Sequence, residues 1–323
     1  MTRYAIALGS NLGDRVGHLR AAIGEISRLG QIEGVSGLYE TAPIGGPEQD
    51  PFLNAVVVAR STLPPSDLLD RLQDAEAGRL RVRAERWGPR TLDLDIVAME
   101  PGSIISERLT IPHPRAAERR FVLDPLCDVW PDAMVADGVT AAHARRDVAG
   151  QESERLLADW TDAGRRLGPV WVLGQLLLFL AIGVALVADG SLPGFVGPGP
   201  GDPVDAWRVV GAVLLVTGAV GVVVAARSLG RALTAMPEPV PDASLIESGL
   251  YHLVRHPIYG AGFLAMLGAS LLFASTTATV LSLLLLFFFW AKSGYEERQL
   301  RIAYPGYSAY RRRVRHRLLP FVL

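Results

Sequence analysis

The chain changes its chemistry near its midpoint, and that change limits what it can fold into. From Leu167 to Ala188, and again from Trp207 to Ala226, the residues are apolar almost without interruption. A helix needs about 20 apolar residues to cross a bilayer core, so each run is long enough to span one. Ile258 to Phe273 and Ala278 to Ala291 are two shorter apolar runs, separated by Ser275-Thr276-Thr277. A tilted or re-entrant hairpin therefore stays open for that pair. Asp189 to Ala206 holds three aspartates and no Lys or Arg. Arg165, Arg166, Arg227, Arg231, Arg255, Lys292 and the arginine-rich tail Arg311 to Arg317 all fall on the opposite side of a four-span arrangement. By the positive-inside rule that side is cytoplasmic. The expectation is a multi-pass protein of the cytoplasmic membrane, in contact with the lipid bilayer, with both termini and the first half in the cytoplasm.

Composition sets further bounds. The chain has 323 residues, which suggests two domains, and its mean hydropathy of +0.26 comes from the second half. A net charge of −1 gives no bulk attraction to nucleic acid, so no nucleic-acid partner is expected. The single cysteine, Cys127, excludes an intramolecular disulfide and a multi-thiolate zinc site. It reads as a small buried hydrophobe. Lys292 is the only lysine, which reads as compositional bias toward arginine. Met1-Thr2-Arg3 leads straight into a strand-like segment with no signal peptide. Nothing in the pattern reveals an oligomeric state.

Residues 1–150 read as an α+β domain. Tyr4 to Leu8 is a strand ending in the turn Gly9-Ser10-Asn11, and Asp14 can cap a helix carrying Leu19, Ile23, Ile26 and Leu29. Val35 to Thr41 and Phe52 to Ser61 are strands, Pro64-Pro65-Ser66 opens a second helix, and Thr91 to Met99 is a further strand. That order suggests a ferredoxin-like sheet with helices on one face. Residues 151–166 are polar and read as a linker helix, leaving 167–323 as an all-α transmembrane domain of about four helices.

The stretch Arg86-Trp87-Gly88-Pro89-Arg90-Thr91-Leu92-Asp93-Leu94-Asp95 carries the most chemistry. On a strand Asp93 and Asp95 face the same way, about 6–7 Å apart, with Leu92 and Leu94 turned inward. Two such carboxylates suit Mg²⁺ ions bridged by phosphate oxygens, and nearby arginines suit the charge of a transferring phosphorus. No Gly-x-x-x-x-Gly-Lys-[Ser/Thr] loop occurs, so a nucleotide would be held by metal and arginine. Gly9-Ser10-Asn11-Leu12-Gly13 is a weak signal alone and equally a simple turn. Together with Tyr39-Glu40-Thr41-Ala42-Pro43, Phe52-Leu53-Asn54-Ala55, Pro112-His113-Pro114 and Arg119-Arg120-Phe121, these blocks resemble the 6-hydroxymethyl-7,8-dihydropterin pyrophosphokinase family over about the first 140 residues.

The resemblance implies a reaction that moves the β,γ-pyrophosphate of ATP onto the pterin hydroxymethyl group and releases AMP, with two Mg²⁺ ions. It implies Asp93 and Asp95 as metal ligands, and Arg90 and Trp87 as catalytic-loop residues. Thr41, Ala42, Ile44, Phe52, Asn54, Trp87 and Phe121 become pterin contacts, and Arg90, His113 and Arg119 ATP contacts. Arg79 or Arg81 would supply one more loop arginine, the choice left open by an imperfect alignment around Gly78 to Arg83.

In the second half Gly249-Leu250-Tyr251, Arg255-His256-Pro257-Ile258-Tyr259, Glu296-Glu297, Tyr307 and Tyr310 resemble the isoprenylcysteine carboxyl methyltransferase and phospholipid methyltransferase superfamily. That resemblance implies S-adenosylmethionine binding by Arg255, His256, Tyr259, Glu296 and Glu297, and a lipidic or membrane-proximal acceptor. The rival expectations are a second half that serves only as a membrane anchor, and a first half that binds its ligands without turning them over.

Overall fold

A computed structural model describes residues 1–78, 88–158, 160–161, 168–190, 206–237, 239 and 244–320. The chain forms two compact units, Met1–Arg165 and Arg166–Leu323.

In the first unit β1 (Thr2–Ser10) leads into α1 (Arg15–Leu29), and β2 (Gln31–Val35), β3 (Leu38–Thr41) and β4 (Phe52–Ser61) follow. Next come α2 (Pro65–Ala77), β5 (Asp93–Glu100), and the short strands β6 (Ile104–Ile105) and β7 (Thr110–Ile111). The unit closes with α3 (Arg120–Val129), β8 (Met134–Ala136), β9 (Val139–Thr140), α4 (Ala141–Asp147) and β10 (Ser153–Leu157). Local chemistry accounts for the helix starts. The Asp14 carboxylate accepts from Gly17 N at 3.0 Å, and Pro65 occupies the first turn of α2, where no backbone donor is needed.

The main sheet runs β10-β3-β4-β1-β5, with β2 also pairing β4, and every pairing is antiparallel. Two interleaved βαβ units, β1-α1-β3 and β4-α2-β5, generate that order. Ala5, Val56, Val58 and Ala98 pack with Val122, Leu123 and Leu126 of α3, while alternation turns Tyr4, Ile6 and Leu8 to the opposite face. Both faces of β1 are thus buried, and the sequence expectation of helices on one face is corrected: α3 and α4 cover the second.

The linker helix expected over 151–166 is also corrected. Ser153–Leu157 is an edge strand whose residues pair with β3 in the register Ser153↔Thr41 and Arg155↔Tyr39. Just beyond it Trp160 is 1% exposed, donates its indole N–H to the Ser36 carbonyl at 2.8 Å, and receives Arg20 on its own carbonyl. Burial of that indole draws the segment into the first unit. Cys127 is half-buried against the α3 face of the core.

The second unit contains α5 (Gly168–Gly190), α6 (Ala206–Leu229), α7 (Pro257–Leu272), α8 (Thr276–Ala303) and α9 (Tyr307–Arg313). Among the described residues three helices, α5, α6 and α8, are long and apolar enough to cross a membrane. α7 has 16 residues, about 24 Å at 1.5 Å per residue, short of a ~30 Å core. The expected count of about four spans is therefore met by three full-length helices and one shorter apolar helix. Leu173, Leu176, Leu180, Val213, Val216 and Val220 are exposed, the pattern of side chains that face lipid. α6 and α7 approach closely: a Cβ at Gly218 would lie 2.4 Å from the Ala265 backbone nitrogen. α8 does not stop at Ala291, where its apolar run ends. Its buried stripe Ala278, Ser282, Leu285, Phe289 continues through Lys292, Ser293, Glu297 and Arg301 at the same helical spacing.

Candidate functional site

The first site is built at one end of the sheet, on the face that α3 covers. β1 pairs with β4 and β5 so that Gly9 lies opposite both Asn54 and Asp93, and Ala7 opposite both Val56 and Asp95. Small residues on the central strand leave room there. A Cβ on Gly9 would come 3.3 Å from Asn54 Oδ1 and 3.7 Å from Asp93 Cβ, with the Phe52 ring at 4.0 Å. The result is a cavity of about 280 Å³. Strand alternation works here as expected: Leu92, Leu94 and Ile96 are buried, while Asp93 and Asp95 are half-exposed and line the cavity.

The cavity brings together most of the residues singled out from the sequence. Phe52 and Phe121 line it, with Thr41, Ala42, Ile44 and Asn54 to one side and Arg90, His113 and Arg119 to the other. Asn54 donates to Thr41 Oγ1 at 2.8 Å, which orients its amide. The Arg90 guanidinium pairs with Asp93. The Arg119 guanidinium sits 5.4 Å from the Phe121 ring centroid, within cation–π range. Burial, then the charges of Arg119 and Arg115, hold the His113 imidazole below the usual histidine range, so near neutral pH it is uncharged. Among the described residues no cluster of three or more His, Cys, Asp or Glu side chains is arranged for a metal. Asp93 and Asp95 are two carboxylates, a donor set that fits a hard cation completing its shell with phosphate oxygens and water. Trp87, Arg79 and Arg81 lie outside the described residues.

Two residues not singled out from the sequence hold the walls. Asn11 is 1% exposed. Its side chain donates to Gln49 Oε1 at 2.9 Å and the Asp50 carbonyl at 3.1 Å, and accepts from Arg90 N at 2.7 Å. It thus ties the 42–51 loop to the segment bearing Arg90. Arg15, equally buried, donates to the Pro51 carbonyl at 2.9 Å and faces Glu40 at 4.0 Å. The Gly9-Ser10-Asn11 turn held a signal for Asn11; for Arg15, on the first turn of α1, there was none.

The second unit has a cavity of about 460 Å³. Arg255, His256, Tyr259 and Glu296, all singled out from the sequence, line it together with Lys292 and four more tyrosines, Tyr251, Tyr304, Tyr307 and Tyr310. Glu297 does not. Its carboxylate is buried and takes Arg255 Nε at 2.7 Å and Arg317 Nη2 at 3.2 Å. Arg255 also donates to the Val314 and Arg315 carbonyls, both at 2.7 Å, and the backbone pairs run Arg255 N to His316 O and His256 N to Arg317 O. Glu297 therefore holds the C-terminal segment in place, while Glu296 faces the cavity. The 100° step between successive helix residues separates the twin acids. His256 lies between them, Nδ1 3.4 Å from Glu296 and Nε2 3.4 Å from Glu297. The Tyr307 hydroxyl is buried and unpaired among the described residues.

Residues 5–131 match the family described as 7,8-dihydro-6-hydroxymethylpterin-pyrophosphokinase (HPPK), and residues 207–306 match the one described as phospholipid methyltransferase. The 2-amino-4-hydroxy-6-hydroxymethyldihydropteridine pyrophosphokinase of Methylorubrum extorquens is 41% identical over 155 residues, 47% of this chain and 98% of the relative. The Bacillus subtilis enzyme of the same name is 44% identical over 126 residues, 38% of this chain and 75% of the relative. That of Pseudomonas aeruginosa is 43% identical over 138 residues, 42% of this chain and 85% of the relative.

Proposed function

Because the chain belongs, through its first unit, to the 7,8-dihydro-6-hydroxymethylpterin-pyrophosphokinase family, we propose that this unit transfers pyrophosphate from ATP to 6-hydroxymethyl-7,8-dihydropterin. The observation that carries the reading is the convergence of Asp93, Asp95, Phe52 and Phe121 on one cavity. The pterin ring takes the aromatic slot, with Asn54 and the Thr41–Ile44 backbone offering polar partners to its edge. Arg90, His113 and Arg119 take the triphosphate. The hydroxymethyl oxygen then bonds to the β-phosphorus and gives up its proton to solvent, the bond from that phosphorus to the α–β bridging oxygen breaks, and AMP leaves. Asp93 and Asp95 would hold Mg²⁺, which supplies positive charge to the transferring group. Asn11, by tying both cavity walls to β1, keeps donor and acceptor loops in register. Full-length protein in nanodiscs should release AMP from ATP only when both the pterin and Mg²⁺ are present. AMP release that ignores the pterin would sink this reading.

For the second unit, the cavity lined by Arg255, His256, Tyr259 and Glu296 favours a site for S-adenosylmethionine and methylation of a lipidic or membrane-proximal acceptor. The few charged side chains in a mostly apolar lining, with the unpaired Tyr307 hydroxyl, fit a polar cofactor better than a plain anchor would require. Arg255 and Glu297 act here by shaping the cavity through the C-terminal segment. On this reading the chain is a multifunctional transferase of the cytoplasmic membrane with its first unit, residues 1–165, on the cytoplasmic side. Labelled S-adenosylmethionine should bind the nanodisc protein, and Glu296→Gln should weaken it at least tenfold. No binding by the unaltered protein would leave the second unit as an anchor.

A further inference from the structure

The cations of the second cavity are unequally engaged. Arg255 is spent on Glu297 and two carbonyls, and His256 sits between two carboxylates. Lys292, the chain's only lysine, is 1% exposed and lines the cavity. Its hydrogen bonds among the described residues go to neutral groups, Gln175 Oε1 at 2.6 Å and the Ala235 carbonyl at 3.2 Å, the Tyr259 ring centroid lies at 5.1 Å, and the charge of Glu296 reaches it without a hydrogen bond. A buried cation whose hydrogen bonds all go to neutral groups is unfavourable, most of all in a helix that spans a bilayer, and such residues mark functional sites. Leucine or methionine would fill the same place on α8 without that penalty.

One turn further along α8, Glu296 lines the same cavity. Residues four apart share a helix face and are separated by about 6 Å along the axis. The two opposite charges attract each other but form no ion pair among the described residues; Glu296 is met by His256 and by the Tyr259 hydroxyl. A positive pole and a negative pole, one turn apart on a rigid helix and facing one cavity, match a ligand that carries both charges on adjacent carbons.

We propose that Lys292 and Glu296 clamp the α-amino-acid end of S-adenosylmethionine, Lys292 taking its carboxylate and Glu296 its ammonium, an assignment that rests on the methyl-donor reading of this cavity. Tyr304, Tyr307 and Tyr310 are then left for the nucleoside. Gln175 and the Ala235 carbonyl hold the lysine in place without neutralising it.

Full-length protein in nanodiscs is titrated with S-adenosylmethionine, with its decarboxylated analogue, and with 5′-methylthioadenosine, which lacks the amino-acid end. The unaltered protein should bind the decarboxylated analogue about tenfold or more weakly than the parent, the range for a charge-assisted contact. Lys292→Met should erase that preference, bringing S-adenosylmethionine down to its analogue while 5′-methylthioadenosine binds as before. Lys292→Arg should restore most of it. Equal loss of all three ligands in Lys292→Met would reduce the lysine to a structural part. Undiminished S-adenosylmethionine binding would assign its charge elsewhere. If the unaltered protein bound none of the three, the methyl-donor reading itself would fall and take the clamp with it.

Discussion

The two units solve one problem, the rigid placement of charge beside a cavity, with different periodicities. In the first, Asp93 and Asp95 are two residues apart on a strand and project together because the strand alternates. In the second, Lys292 and Glu296 are four apart on a helix and project together because the helix turns. The surroundings differ as well. β1 is buried by protein on both faces, whereas α5 and α6 keep long apolar faces exposed. A charge beside the sheet can borrow water through the cavity mouth. One on α8 is supported by neighbouring protein groups, so its partners reveal its purpose more directly.

That contrast can be broken by substitution. Asp95→Ala should lower the AMP-release rate by roughly three orders of magnitude or more, because metal charge is the dominant stabilising factor in this chemistry, and leave S-adenosylmethionine binding untouched. A rate within tenfold of the unaltered protein would remove Asp95 from the metal site; a change in the second ligand would show that the units are not independent. Gly9→Val should cut the same rate by roughly a hundredfold with the fold retained, since its side chain enters the space between Asn54, Asp93 and Phe52. Normal turnover would mean that the cavity floor is deeper than drawn.

Trp160→Ala tests where the first unit ends. It removes a buried indole and should cost about 3–5 kcal/mol of that unit's stability. Cys127 offers the readout as the only thiol, since alkylation in rising urea reports opening of the α3 face. An unchanged urea midpoint would return this segment to linker status. Gly218→Leu probes the other unit, where overpacking against α7 should cost about 1–3 kcal/mol, read as a lower melting temperature without change in AMP release. The smallest effect concerns Cys127 itself. Burial raises its thiol above the usual range, so less thiolate is present at pH 8 and alkylation of the folded protein should be slower than that of free cysteine. A rate equal to free cysteine would contradict its placement.

Features with a short sequence period were legible in advance. The Asp14 cap, the span of β4 and the outward pair Asp93 and Asp95 follow from residues within one or two turns of each other, whereas the one strand expected over Val35 to Thr41 is corrected to the end of β2 and a separate β3. β10 was not. Its segment is polar because an edge strand exposes one side, and charge on an exposed strand reads the same as charge on a solvated helix. Asn11 stood in a recognisable turn, but its role as a tie was hidden because it lies in partners at 49, 50 and 90, distant in sequence. The twin acids Glu296 and Glu297 could not be told apart without the rotation of α8. Lys292 counted only as compositional bias and one more positive charge near a membrane edge until its burial was seen.

The lone lysine also has a practical consequence. Across these 323 residues an amine-selective acylating reagent finds a single side-chain amine to attack. That amine lies inside the protein, so its labelling should be slow. The rate is a single-atom reporter of whether the membrane unit's interior is filled.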